Sequence, residues 1–279
     1  MMENKSEREI SNLLPELALY ICEYIDDRDI LNAVEAIPTW NWIASSTWLR
    51  VHLSRRISQL SWIDRYIYRR LFPQPSPHFF RDPRGALEYR LKQEEFYTNK
   101  YYIPQDRPNI RDIRFLVFPP SDSDLKLDFN QVEIHFDNTR TPVLHRITSE
   151  DIDRGTENNA ALPCDFALFF ADMSEICKED LQLMVDSLCP HQTFAIIVLK
   201  DVKTDRRSDF QCLLDFLNHL GGLDKSPLAN SLFHWRLWCV HHDSEKNVDM
   251  RELLTWLVNT SLWRRKQSGR WDNDETSTD

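Results

Sequence analysis

Two uninterrupted apolar runs, Phe166-Ala-Leu-Phe-Phe170 and Phe194-Ala-Ile-Ile-Val-Leu199, constrain the fold of this chain more than anything else in it. A strand with one face in water alternates polar and apolar residues, whereas a strand apolar throughout must be covered on both faces. Runs this short, rich in aromatic and β-branched residues, read as strands. Ile113 to Phe118 and Trp235 to Val240 add two more, and Val132, Ile134 and Phe136, alternating with Glu133, His135 and Asp137, read as a half-exposed strand.

Segments of helical period separate these runs. One carries Ile176, Leu181, Met184, Val185 and Leu188. A second opens on the capping signal Ser208-x-x-Gln211, carries Leu213, Leu214, Leu217 and Leu220, and stops at Gly221. A third opens on Asp249-x-x-Glu252 and carries Leu253, Leu254, Leu257 and Val258. Strands alternating with helices predict a three-layer α/β domain over 110–265, its sheet mainly parallel and covered on both faces. Asn138 to Leu162 is polar and without period, so a long mobile loop is expected there, and 266–279 is expected as a disordered tail.

Upstream, residues 11–72 read as all helix. Pro15 suits a first helical turn, and Leu17, Tyr20, Ile21, Tyr24 and Ile25 recur at helical spacing until Asp26-Asp27-Arg28. Asp29 is expected to cap a second helix with Ile30, Leu31, Val34 and Ile37 on its face, ended by Pro38. A third segment carries Trp40, Ile43 and Trp48, and a stripe of Leu49, Leu53, Ile57 and Leu60 follows. Ser61 is expected to cap one more helix, with Ile63, Ile67, Arg70 and Leu71 on one face. Pro73, Pro75 and Pro77 mark a connector, and Asp82-Pro83 reopens a helix, so that 73–109 reads as a helical linker. The fold class expected is therefore α+β and multidomain.

The first of these segments carries more large apolar side chains than a core of some 45 residues can hide. The surplus, Leu14, Leu19 and Leu31 among it, asks for a partner surface. Leu14-Pro15-Glu16-Leu17, the Ile21 and Ile25 spacing, Asp29-Ile30-Leu31 and the Trp40 to Trp48 pair together resemble an F-box. That family docks through its Leu-Pro loop and following helices onto the Skp adaptor, which joins it to a cullin scaffold. The resemblance implies Skp-adaptor binding through Leu14, Pro15, Leu17, Ile21, Ile25, Ile30, Leu31, Val34 and Trp40. The chain departs from the family at Ile37-Pro38-Thr39, where a Val-Cys-Arg-like run is usual, and in the shorter spacing of its tryptophans.

The strand and helix order of the second domain resembles a small GTPase of the Ras type. Phosphate binding there needs a glycine-rich loop after the first strand, followed by Lys and Ser or Thr. Here Phe118 is followed by Pro119-Pro120-Ser121-Asp122-Ser123-Asp124, which removes two N–H donors and places two carboxylates against any phosphate, and no Gly-Lys pair occurs in the chain. Leu199-Lys200-Asp201-Val202-Lys203 only faintly resembles a guanine-reading motif. The expectation is a GTPase-like domain without nucleotide chemistry and without a cofactor.

An F-box followed by such a domain resembles the F-box only protein 4 family. The likeness implies the substrate-recognition subunit of an SCF-type ubiquitin ligase, non-catalytic itself, with protein targets such as telomere-repeat-binding factors or D-type cyclins, and a homodimer. The alternative is a nucleotide-binding switch. A small hydrolase is a further rival, although no Gly-x-Ser-x-Gly elbow occurs. If Gln131, Val132, Glu133, Ile134, His135 and Phe136 form the sheet edge, their open N–H and C=O groups offer a substrate-binding strand.

A net charge of −10 argues against nonspecific nucleic-acid binding, and no run reaches the length of a membrane span. With no signal-peptide pattern at the N-terminus, a cytoplasmic and also nuclear protein is expected. Six cysteines without a Cys-x-x-Cys pair indicate neither a zinc module nor a disulfide framework. Cys239, His241, His242 and Asp243 match no closed zinc spacing and read as a buried thiol at a strand end followed by a polar loop. The nine tryptophans are expected as core or interface anchors.

Overall fold

The computed structural model describes residues 13–72, 82–98, 112–118, 143–147, 164–171, 178–242 and 250–267. The chain divides into two units, one made of 1–59 and 66–95, the other of 60–65 and 96–279.

In the first unit, α1 spans Pro15–Tyr24 and α2 spans Asp27–Ala36. The start of α2 differs from the expectation: Asp26 is its N-cap residue and Asp29 lies within its first turn. Asp27 instead pairs with Arg56 at 3.1 Å. Pro38 ends α2 and opens a 3₁₀ turn, Pro38–Trp40, followed by the one-turn α3, Asn41–Ala44. The segment expected as one helix from Trp40 to Trp48 is therefore broken. Ser46, whose Oγ accepts from the Leu49 N–H at 3.1 Å, starts α4 at Thr47–Ile57.

Helix α5 is Arg65–Leu71 and α6 is Pro83–Thr98. Asp82 caps α6 through the Gly85 N–H at 2.9 Å. The residues of α6 up to Glu95 belong to the first unit: Ala86 and Leu87 are buried and Arg84 pairs with Glu35 at 2.8 Å. The prolines of the connector lie outside the described residues.

Among the described residues, the second unit holds a six-stranded sheet. Its strands are β1 (Trp62–Ile63), β2 (Asp112–Phe118), β3 (Val143–Ile147), β4 (Phe166–Ala171), β5 (Thr193–Asp201) and β6 (His234–His242). The order is β1-β6-β5-β4-β2-β3, with β1 antiparallel and every other pairing parallel. The apolar runs lie where burial on two faces requires them, with Phe166, Ala167, Leu168 and Phe194 to Val198 excluded from water.

Among the described residues, three helices accompany the sheet: α7 (Lys178–Ser187), α8 (Asp209–His219) and α9 (Arg251–Gln267). Helix α8 packs on β1, β5 and β6, and α9 on β4 and β5. Ser208 caps α8 by accepting from the Gln211 N–H at 3.2 Å. The Gln211 side chain donates to Asp215 rather than back to the cap, so only half of the expected capping box forms. Gly221 (φ 89°) and Gly222 (φ 84°) turn the chain away after α8, and the Gly222 N–H bonds the Leu217 carbonyl at 2.8 Å.

Three expectations are corrected here. Trp62 and Ile63 are a strand rather than helix, because Trp62 and Ile63 pair with Trp238 and Leu237 of β6. The loop expected over 138–162 contains β3, which pairs in parallel with β2 and is the last strand on that side among the described residues. Residues 266 and 267, expected in the tail, continue α9.

Arg236 explains why so short a strand as β1 holds. This buried guanidinium lies 3.7 Å from the Trp62 ring centroid, 4.6 Å from that of Trp256 and 6.0 Å from that of Trp238. Tryptophan faces offer partial negative charge to the cation while contributing large apolar area. Trp256 is core, as expected, and these tryptophans enclose the chain's own arginine.

Candidate functional site

Helix α1 begins because Leu14 is extended (φ −59°, ψ 143°) while its carbonyl already accepts the N–H of Leu17 at 3.0 Å and of Ala18 at 3.1 Å. Pro15 takes the first helical position, where its missing N–H has no intrahelical partner. Within this helix the two buried residues, Ala18 and Cys22, are small. Their i, i+4 spacing defines the packed face.

The large apolar residues face the other way. At about 100° per residue, Leu17, Tyr20, Ile21 and Tyr24 fall with Leu14 within one arc of about 120°. Their exposures are 64% for Leu14, 48% for Leu17, 57% for Tyr20, 38% for Ile21 and 73% for Tyr24. The Tyr20 and Tyr24 rings lie 4.9 Å apart. An ordinary surface helix buries its large residues and exposes its polar ones, so α1 is amphipathic in the inverted sense. Covering Leu14, Leu17 and Ile21 alone is worth roughly 3 kcal/mol at about 2 kcal/mol per fully buried side chain.

The nine expected docking residues divide in two. Leu14, Pro15, Leu17 and Ile21 lie on the open surface and Ile25 is half-buried. Ile30, Leu31, Val34 and Trp40 are buried, so in this structure they close the core rather than face outward. Leu31, counted in the surplus, is only 5% exposed. Core and docking residues share one apolar period, so spacing alone does not separate them. Tyr20, Tyr24 and Trp42 were missed as surface members, and the small pair Ala18 and Cys22 was the signal that assigns α1's faces.

A second constellation lies in the sheet unit, at the C-terminal ends of β5 and β6 and the first turn of α8. Parallel sheets gather ligand sites at this edge. Asp209 Oδ1 accepts from Lys200 Nζ at 2.9 Å and lies 2.7 Å from His241 Nε2. Burial would raise the Asp209 carboxyl, but the hydrogen bonds from His241 and Lys200 outweigh it and hold the group below its ordinary value. Beside it, Arg207 bonds Asp205 and Asp215, which holds the Asp205 carboxyl far down.

Cys239 Sγ stands behind this rim. Burial pushes its thiol well above the ordinary value, and Asp209 and Cys212 add to the shift. The neutral thiol is a poor nucleophile. One ligand atom each from Asp209, Cys239 and His241 falls within 4.8 Å of the others. The sequence set Cys239 and His241 together, but Asp209 is 32 residues from His241 and only the fold joins them. The His242 side chain and Asp243 lie outside the described residues.

The expected substrate strand, Gln131 to Phe136, also lies outside the described residues. Elsewhere in this unit a cleft of about 420 Å³ is lined by Gln182, Asp186, Asn230, Leu232 and Phe233 among others. No helix among the described residues is long and apolar enough to cross a membrane. No protein-family model, curated protein or solved structure matches the chain.

Proposed function

We propose that this chain is a non-catalytic substrate receptor of an SCF-type ubiquitin ligase, docking on the Skp adaptor through the outer face of α1. The observation that carries the reading is the inverted helix: Leu14, Leu17, Tyr20, Ile21 and Tyr24 point outward while Ala18 and Cys22 pack inward. Contiguous exposed apolar surface of this kind marks an interaction site. A partner helix or groove laid along α1 meets residues at i, i+3, i+4 and i+7, the spacing of helix-in-groove recognition.

In this reading the sheet unit recruits the protein target, and ubiquitin transfer belongs to other subunits. The parallel order β3-β2-β4-β5-β6 supports a Ras-like scaffold. On that scaffold, Gln131 to Phe136, which precede β3 in sequence, supply the outer edge strand to which a target segment adds. The nucleotide-switch alternative draws no support: Pro119, Pro120 and Asp122 follow β2 where a phosphate loop is needed.

The test is co-expression and co-purification with the Skp adaptor, comparing the full chain with a Leu14→Ala, Pro15→Ala double variant. The reading predicts that the wild-type chain retains the adaptor and the folded variant does not. Adaptor absent from both, with both folded, refutes it.

A further inference from the structure

We propose that Asp209, Cys239 and His241 form a binding site for a borderline-soft divalent metal of the zinc class, with Lys200 as a built-in counter-charge that weakens it. The three donors come from two elements that the sheet fixes against each other. Cys239 and His241 are alternate residues of β6, and Asp209 opens α8, which packs on β5 and β6.

The geometry suits such an ion. Metal bonds of about 2.0 to 2.3 Å place the corners of a tetrahedron about 3.3 to 3.8 Å apart. The donors already lie within 4.8 Å of one another, so side-chain rotations of under about 1 Å at each bring them in. Thiolate, imidazole and carboxylate together favour zinc or cobalt over magnesium or calcium, which prefer oxygen alone.

Burial is graded in the way an open site requires. Cys239 is 6% exposed at the floor, Asp209's side chain is 20% exposed, and His241's is 49% exposed at the mouth. Three protein ligands leave a fourth corner for water.

Binding exchanges charges in balance. Metal ligation takes a carboxylate, a neutral imidazole and a thiolate, so at pH 8 the incoming ion displaces the Cys239 thiol proton to solvent. Nε2 of His241 turns from Asp209 to the metal and its ring proton resides on Nδ1. The site then carries two anionic ligands against a divalent cation. Lys200, 2.9 Å from Asp209 Oδ1, adds a further positive charge beside it. That charge opposes the ion directly, and removing it strengthens binding.

The test uses the full chain, reduced and stripped of metal, titrated at pH 8 with cobalt(II) and then displaced with zinc(II). One equivalent per chain is expected, with a thiolate-to-cobalt charge-transfer band in the near ultraviolet and visible bands of tetrahedral intensity. Cys239→Ser loses the charge-transfer band, and His241→Ala, whose side chain is half in water, keeps its far-ultraviolet circular dichroism but binds at least tenfold more weakly. Lys200→Met binds more tightly than wild type, an effect that loss of structure does not produce. Absence of cobalt binding by the wild-type chain, the same band in Cys239→Ser, undiminished binding by His241→Ala, or unchanged or weaker binding by Lys200→Met each overturns the proposal.

Discussion

His234 makes the sheet unit sensitive to acid. Its ring lies edge-on to Trp256 at 5.7 Å, half-buried at the start of β6. Burial, with the positive charges of Arg236, Arg264 and Arg65 around it, lowers its pKa from the ordinary 6.5 to about 3. The folded state therefore holds a neutral imidazole, whereas the unfolded chain takes up a proton as pH falls through 6.5. Between those two values the unfolded state binds more protons, so stability falls as pH falls and is fully present only above about 6.5. From pH 7.5 to pH 5.0 the loss is about 2 kcal/mol from this residue, since one pH unit is worth about 1.4 kcal/mol per proton taken up. A folded value anywhere below about 4 gives the same result at pH 5.0, so residual exposure of the ring changes little. The assay is urea unfolding of the wild-type chain and a His234→Phe variant, followed by tryptophan fluorescence, at both pH values. The wild type should lose about 2 kcal/mol more than the variant between them. Equal losses would mean that His234 protonates alike in both states and is not held neutral by the fold.

Two further perturbations read the helix ends in the sheet unit. Ser208→Ala removes the oxygen that accepts the Gln211 N–H and should cost about 1 kcal/mol in the same urea experiment. Gly221→Ala forces a side chain onto a backbone at φ 89° and should cost about 1 kcal/mol; because the added Cβ meets only Lys225 at 3.5 Å, backbone strain rather than crowding is the cause.

Much of the sheet was legible because its constraints are local. The apolar runs became β4 and β5, and Ser208 and Gly221 bracketed α8, since burial on two faces, capping and positive φ leave signatures within a few residues. What escaped depends on distant partners. A strand of two residues has no period to read, and β1 exists because Trp62 meets Trp238 and Arg236 across the fold. The segment Val143-Leu-His-Arg-Ile147 alternates too little to stand out from a polar stretch, and its pairing with β2 is what makes it a strand.

The candidate sites show the same division. The apolar period of α1 and α2 was plain, yet which residues face out was decided by packing. Ile30, Leu31 and Val34 turned inward, while the α1 stripe stayed open because Ala18 and Cys22 let the helix lie close to its neighbours. In the polar cluster, Cys239 and His241 were visible as a pair, but Asp209 joins them only because α8 begins beside the ends of β5 and β6.

The proposed function requires α1 to present a docking face distinct from the residues that hold the helices together. Calorimetric titration of the Skp adaptor into the wild-type chain, a Leu17→Ala, Ile21→Ala variant and a Leu31→Ala variant tests this most directly, with urea stability measured in parallel. The pair on the open face should weaken binding by about 2 kcal/mol, roughly thirtyfold, from the exposed part of the carbons removed, with little change in stability. Leu31→Ala should cost about 2 to 5 kcal/mol of stability while the fraction that remains folded binds like wild type. Adaptor affinity unchanged by the Leu17→Ala, Ile21→Ala pair, or no binding by the folded wild-type chain, contradicts the claim.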